Sequence, residues 1–183
     1  MNDFSLIQTH YQNCFHNTAR TMQWQQGPMS SLVMDFKILL FAPTESRNFW
    51  TYATRGMSQQ GDSVPIELHL FSPIETEAHV ELLTVIAHYH LSGEYLNLGH
   101  TVNFGRPWLP KSRCTHGLIS LPFLDGPKLE WLESGSRRIR FLWLLPITAG
   151  EVEFVKQHGV DALETEFEQQ QFDYLDALRE SVV

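Results

Sequence analysis

Residues 136–167 read SRRIRFLWLLPITAGEVEFVKQHGVDALETEF, and the fold class is decided by where their pattern changes. Ile139, Phe141 and Trp143 alternate with Arg138 and Arg140, the period-2 signature of a strand with one buried face. At Leu144 and Leu145 the run becomes wholly apolar, which predicts a long strand with a buried end. At Thr148 the period switches. Thr148 and Glu151 match a capping box, Gly159 fits a helix C-cap, and VDALETEFEQQ reads as a second short helix. The tail from Gln170 is expected to fray.

Upstream, residues 3–19 place Phe4, Ile7, Tyr11, Cys14 and Phe15 at helical spacing, with Asp3 as N-cap. GPMSS punctuates, and in SLVMDFKILLF (31–41) Val33, Asp35 and Lys37 alternate with Met34, Phe36 and Ile38, which predicts a strand. RNFWTYATRG and VPIELHLFS flank the polar loop GMSQQGDS and read as two more strands joined by a long turn. Residues 73–91 open with acids and carry Ala78, Leu82, Val85, Ile86 and Tyr89 on one helical face. Short strands follow around HTVNF, HGLISLPF and KLEWLE. Helix, strands, helix, strands and helices in this order predict an α+β (mixed α/β) domain spanning residues 1–183, its central mixed sheet flanked by helices.

Composition narrows the function classes. At 183 residues, 43% hydrophobic and 12% aromatic, the chain can bury a true core. No apolar run approaches the roughly 20 residues needed to cross a bilayer, and the acidic MNDFSLIQTHYQ start lacks the pattern of a secretory signal. A cytoplasmic protein with Cys14 and Cys114 as reduced thiols is expected. The net charge of −8 argues against general nucleic-acid binding and favours a basic protein partner.

Several stretches resemble sites and are weaker on inspection. GMSQQG (56–61) approaches the G-x-S-x-G nucleophile elbow, but its second glycine is one position late and no helix follows. GHTVNFG (99–105) lacks the lysine and the helix start of a phosphate loop. His88 and His90 are two apart on a helix and point about 200° apart, so they cannot share one ion. His100, Cys114 and His116 could converge as a metal or hydrolase site, although no ligand motif accompanies them. Glu151, Glu153, Glu164, Glu166 and Glu168 read as solvated helix faces or a docking surface. Arg106, Lys111, Arg113, Arg137, Arg138 and Arg140 read as local ion-pair partners, and Trp108 and Trp131 as core or cleft aromatics. No cofactor is indicated.

Read together, YATRGMS, IELHLF, LLTVIAHYH, GHTVNFG, HGLISLPF and RFLWLLPITAGEVEFVKQHGVDALETEF fall in an order that resembles the Suppressor of Fused domain family, over about residues 32–167. The helix at 3–19 and the tail at 170–183 are then peripheral. The resemblance implies a mixed α/β fold and no catalytic activity. Animal members carry a second domain and hold a transcription-factor peptide between the two as an added strand. This chain has room for the first domain alone, and short members resemble bacterial immunity proteins that neutralise polymorphic toxins. The resemblance also places a peptide contact at Tyr89 and a second beside the turn histidine, where Gly99 stands instead of an acid. The expected partner surface is therefore Tyr89, Gly99, His100, Arg106 and Trp108, with Glu164 and Glu168 as a second candidate. Three functions follow: toxin neutralisation by occlusion, peptide capture by strand addition, or chemistry at His100, Cys114 and His116.

Overall fold

The structure, a computed structural model, describes residues 3–27, 32, 35–59 and 63–183. In chain order the elements are α1 (Asp3–Phe15), β1 (Arg20–Met22), β2 (Lys37–Phe41), β3 (Trp50–Arg55), β4 (Ile66–Ser72) and α2 (Glu77–Leu91). They continue with β5 (Thr101–Asn103), β6 (Cys114–Ser120), α3 (Pro127–Glu130), β7 (Trp131–Ser134), β8 (Arg137–Thr148), α4 (Ala149–His158) and α5 (Val160–Gln170). The strands form one eight-stranded mixed sheet in the order β1-β2-β3-β4-β8-β6-β5, with β7 also paired to β8. Its parallel pair is β4 with β8, in register from Ile66 opposite Arg140 to His69 opposite Trp143. The chain thus has the α+β architecture that its pattern predicts.

The long strand β8 shows why the sheet is covered on both faces. Leu142 and Leu144 join Ile38, Leu40, Leu68 and Leu70 under α2, which contributes Val80, Leu83, Ile86 and Ala87. On the opposite face Ile139 and Phe141 meet Ile7, Tyr11 and Phe15 of α1. Further along that face Trp143, Leu145 and Ile147 meet Val152 of α4 and Leu163 and Phe167 of α5. A strand covered on both sides has no polar face, and Ile38, Leu39, Leu40 and Phe41 in β2 are all buried for this reason.

Four readings of the pattern change. The strand expected over 31–41 begins at Lys37, and Val33 and Met34 lie outside the described residues. In KLEWLE the first part is the short helix α3, with Pro127 opening it, and the strand starts at Trp131. Asp3 does not stand before α1 as its cap; it is itself helical, and its carboxylate binds Ser134 and, at 2.6 Å, Arg137. The tail beyond Gln170 is packed, because Arg179 is 8% exposed and donates to the Glu151 carboxylate at 2.6 and 2.8 Å.

Glu151 was expected on a solvated face and is completely buried. It closes the capping box with Thr148, as the sequence predicts, and also accepts from the Val182 amide at 3.1 Å. Burial pushes its carboxyl up, but the Arg179 hydrogen bonds and charge outweigh that and hold it below the ordinary value. Removing one partner of such a pair strands the other charge in a dry interior. Arg179→Ala is therefore expected to cost about 3–5 kcal/mol in urea unfolding at neutral pH. Because the folded carboxyl is depressed, the stabilisation is complete above the unfolded value of 4.5 and is lost as pH falls through the folded one, so the gap between wild type and variant should narrow in acid.

Candidate functional site

The stretch from Gly99 to Trp108 turns the chain from α2 into the edge of the sheet and back. Gly99 takes a left-handed φ of +81° and its amide donates to Ile119 O at 2.8 Å, which starts the β5–β6 ladder. Gly105, at φ +71°, receives the Asn103 side chain on its amide at 2.7 Å and ends the strand. Arg106 then pairs with Glu81 at 2.6 Å and with Ala78 O at 3.1 Å, tying the loop to α2. The backbone of this stretch makes turns and a ladder, and its one cationic side chain is used within the fold.

The result is a groove between α2 and an open sheet edge. Leu82, Val85, Ile86 and Tyr89 form one wall, and residues 101–104 form the other, around about 210 Å³. It adjoins a more open cleft of about 500 Å³ that Tyr89 shares with Glu94, Tyr95, His100 and Thr101. Ile119 N–H donates to His100 O and Phe104 N–H to Thr115 O, so residues 100, 102 and 104 face β6. The main-chain groups of Thr101 and Asn103 point away, to the side where no strand lies among the described residues.

The predicted surface is thus only partly assembled. Tyr89, 43% exposed, and His100 line the same cleft, whereas Gly99 precedes His100 without lining it. Arg106 is exposed but already paired. Trp108 does not belong to the surface: it is 3% exposed and stacks on the His79 ring at 5.6 Å and 9°. The Ala78–Tyr89 stripe was expected to lie on one face, yet Val85 and Tyr89 are exposed while Val80, Leu83 and Ala87 carry the core side. Helix α2 is apolar nearly all round, so periodicity could not tell the groove wall from the core face. Val85 was missed for the same reason, whereas Tyr95 and Phe104 lie outside α2 and join the clefts only through the tertiary fold.

Elsewhere, the acids divide. Glu164 is half-buried and accepts from Ser120 Oγ at 2.8 Å; Glu168 is exposed, and both line a separate pocket on α5. The arginines pair locally: Arg138 with Glu133 and Arg140 with Glu130, both over the Trp131 ring, and Arg113 with Glu180.

The reactive-looking groups are not brought together. His100 lies opposite Ile119, three residues and about 10 Å along β6 from His116, while Cys114 is buried. Among the described residues no group of three or more His, Cys, Asp or Glu is placed to hold a metal ion. Ser58 of the 56–61 loop donates its hydroxyl to Glu67 at 2.6 Å, and so cannot act as a free nucleophile; Gln60 and Gly61 lie outside the described residues. The amides of Gly56, Met57 and Ser58 and the Thr54 hydroxyl also donate to Glu67, a fully buried carboxylate whose pKa burial raises against these bonds. The loop is a nest for the chain's own anion. His90 is buried and accepts the Leu96 amide at 2.9 Å, while His88 is half-exposed.

Comparison with known proteins agrees with this architecture. The family described as Suppressor of fused protein (SUFU) matches residues 33–180, and the chain belongs to it. The immunity protein YqcF of Bacillus subtilis (strain 168) is 24% identical over 172 residues, covering 89% of this chain and 88% of YqcF. The crystal structure of a SUFU homologue from Neisseria gonorrhoeae FA 1090 is 34% identical, with a TM-score of 0.88 over 99% of this chain and 97% of the other. A chain of the Sufu–Fu complex has a TM-score of 0.71 at 14% identity, over 98% of this chain and 92% of that one, a likeness of fold.

Two predictions follow from the ground beneath the groove. A Cβ on Gly117 of β6 would come within 2.6 Å of Leu144 Cδ1 and 2.7 Å of the Phe104 ring. Gly117→Ala should therefore displace Phe104, cost about 1–3 kcal/mol, and speed amide exchange at residues 101–104. Burial lowers His79 to about 4, with Arg106 adding, and His69 to about 3, with Arg47 adding. Unfolding then takes up protons below the free-histidine value of 6.5, so stability should fall as pH drops from 6.5 to 5, by at most about 1.4 kcal/mol per pH unit for each histidine. His79→Gln should make that slope shallower by nearly one proton in urea titrations across the window.

Proposed function

We propose that this chain is an immunity protein: it binds a toxin protein and neutralises it by occlusion, without chemistry of its own. The observation that carries the reading is the similarity to YqcF along 89% of the chain, a protein named for immunity. The groove between α2 and β5 supports it physically. It offers exposed Tyr89 and Tyr95, rigid amphipathic anchors of the kind that dominate protein interfaces, beside unpaired main-chain groups. The charge of −8 favours encounter with a basic partner over nucleic acid. No helix among the described residues is long and apolar enough to cross a membrane, and both cysteines are free thiols, which fits action in the cytoplasm.

Co-expression tests this directly. A toxic product encoded beside this gene should lose its toxicity and co-purify with the chain, and Tyr89→Ala with Tyr95→Ala should weaken the complex by about tenfold or more. If no neighbouring product is both toxic and bound, the immunity reading falls.

The outward main-chain groups of Thr101 and Asn103 favour a second reading, capture of an extended peptide as an added strand. Thr101→Pro removes one outward N–H and is tolerated on an edge. It should abolish binding of a short peptide while leaving the unfolding midpoint nearly unchanged. A folded toxin that needs no such strand would bind the variant as before.

A further inference from the structure

On the sheet face opposite the α2 groove, α5, residues 121–124 and the returning tail enclose a pocket of about 280 Å³. Trp143 and Leu145 of β8 form its floor, and Phe167, Phe172 and Tyr174 its wall. Phe123, 57% exposed, stands at its mouth. Tyr174 meets Trp143 edge-on at 5.3 Å, and Phe167 stacks on Phe172 at 4.1 Å, so the lining is a set of fixed aromatic rings. Small-molecule sites usually enclose about 300–1,000 Å³, so this one is sized for a single long side chain.

Its charge is one-sided. Glu164 and Glu168 lie one turn apart on the α5 side of the pocket. Burial raises the Glu164 carboxyl against the Ser120 hydrogen bond, and the charges acting on it, those of Asp161 and Glu168, are both negative. The nearby cations are committed elsewhere: Arg179 to Glu151, and Arg47 to Asp125. Arg179 is nonetheless informative, because its guanidinium sits 5.7 and 5.4 Å from the Phe167 and Phe172 ring centroids without lining the pocket. The same rings already hold one guanidinium within the fold.

We propose that this pocket receives an arginine side chain of a partner protein, its guanidinium stacked on the aromatic wall and paired with Glu164 and Glu168. Arginine fits better than lysine because its planar, weakly hydrated head stacks on rings and bonds a carboxylate with two N–H groups at once. The site lies on the opposite face of the sheet from the groove, so a partner that used both would wrap the β5–β6 edge. The proposal rests on the protein-binding reading but does not need the partner to be a toxin.

The test uses the full chain and N-acetyl-arginine methylamide, followed by NMR. Saturable shifts are expected at the Trp143 indole N–H and at Phe167, Phe172 and Tyr174. The citrulline analogue, equal in shape but uncharged, should produce none. Glu164→Gln with Glu168→Gln, substitutions that keep the Ser120 hydrogen bond possible, should weaken binding about fivefold or more. Shifts scattered over the surface, equal binding of citrulline, or undiminished binding by the double variant would overturn the site. Equal binding of the lysine analogue would overturn the choice of arginine. A saturable arginine site with no toxin neutralised leaves the pocket standing and removes immunity. Neutralisation unaffected by the double variant does the reverse.

Discussion

The buried pair of Glu151 and Arg179 fastens the returning tail to the passage from β8 into α4. Glu151 sits where β8 becomes α4, and its two oxygens serve the Thr148 amide, the Arg179 guanidinium and the Val182 amide together. A carboxylate taken out of water at that depth is tolerable only when its lone pairs are filled. The pair holds the tail together with the packing of Phe172, Tyr174 and Val182, and Arg179 adds a bond to Pro146 O at 3.1 Å. Phe172 and Tyr174 lie on this returning segment. The aromatic pocket on α5 exists because the tail has been brought home.

The groove on the other face depends on a different constraint, close approach at a sheet edge. Phe104 and Leu144 converge over Gly117, where there is no Cβ to hold them apart. Phe104 thereby anchors a strand of three residues that has only one neighbour. The Arg106 bonds to α2 fix the return of the chain. A short edge strand is a common defence against unwanted pairing, and here it also leaves the outward backbone available.

Much of the architecture is legible in the residues. The switch from the alternating Arg138–Trp143 pattern to the Thr148 and Glu151 capping box marks a strand-to-helix passage that the structure shows at that place. Such signals are local, and local physics sets them. The misread residues are those whose state is set by partners far along the chain. Glu151 looks like one more acid of an amphipathic helix until Arg179 arrives from 28 positions away. Trp108 sits in a glycine- and proline-rich turn that suggests exposure, yet its indole has His79 to stack on. Tyr89 entered through the family resemblance, since helical spacing only grouped it with apolar neighbours, and the opposite wall at residues 101–104 comes from another element altogether. Pockets are made by the tertiary fold, and sequence periodicity carries no record of them.

The helix α1 has a consequence in time as well as in space. Its Asp3 waits for Ser134 and Arg137, the latter 134 positions later, and its Tyr11 ring meets Phe141 at 4.8 Å. At about 5–20 residues per second, a ribosome leaves this first helix without its partners for roughly 7–27 s. During that interval Ile7, Tyr11 and Phe15 can meet Leu39, Phe41 and Ala53 of β2 and β3, but they lack Ile139 and Phe141 of β8. The cover over α1 is thus completed in two stages, early by the β2–β3 hairpin and late by α3 and β8.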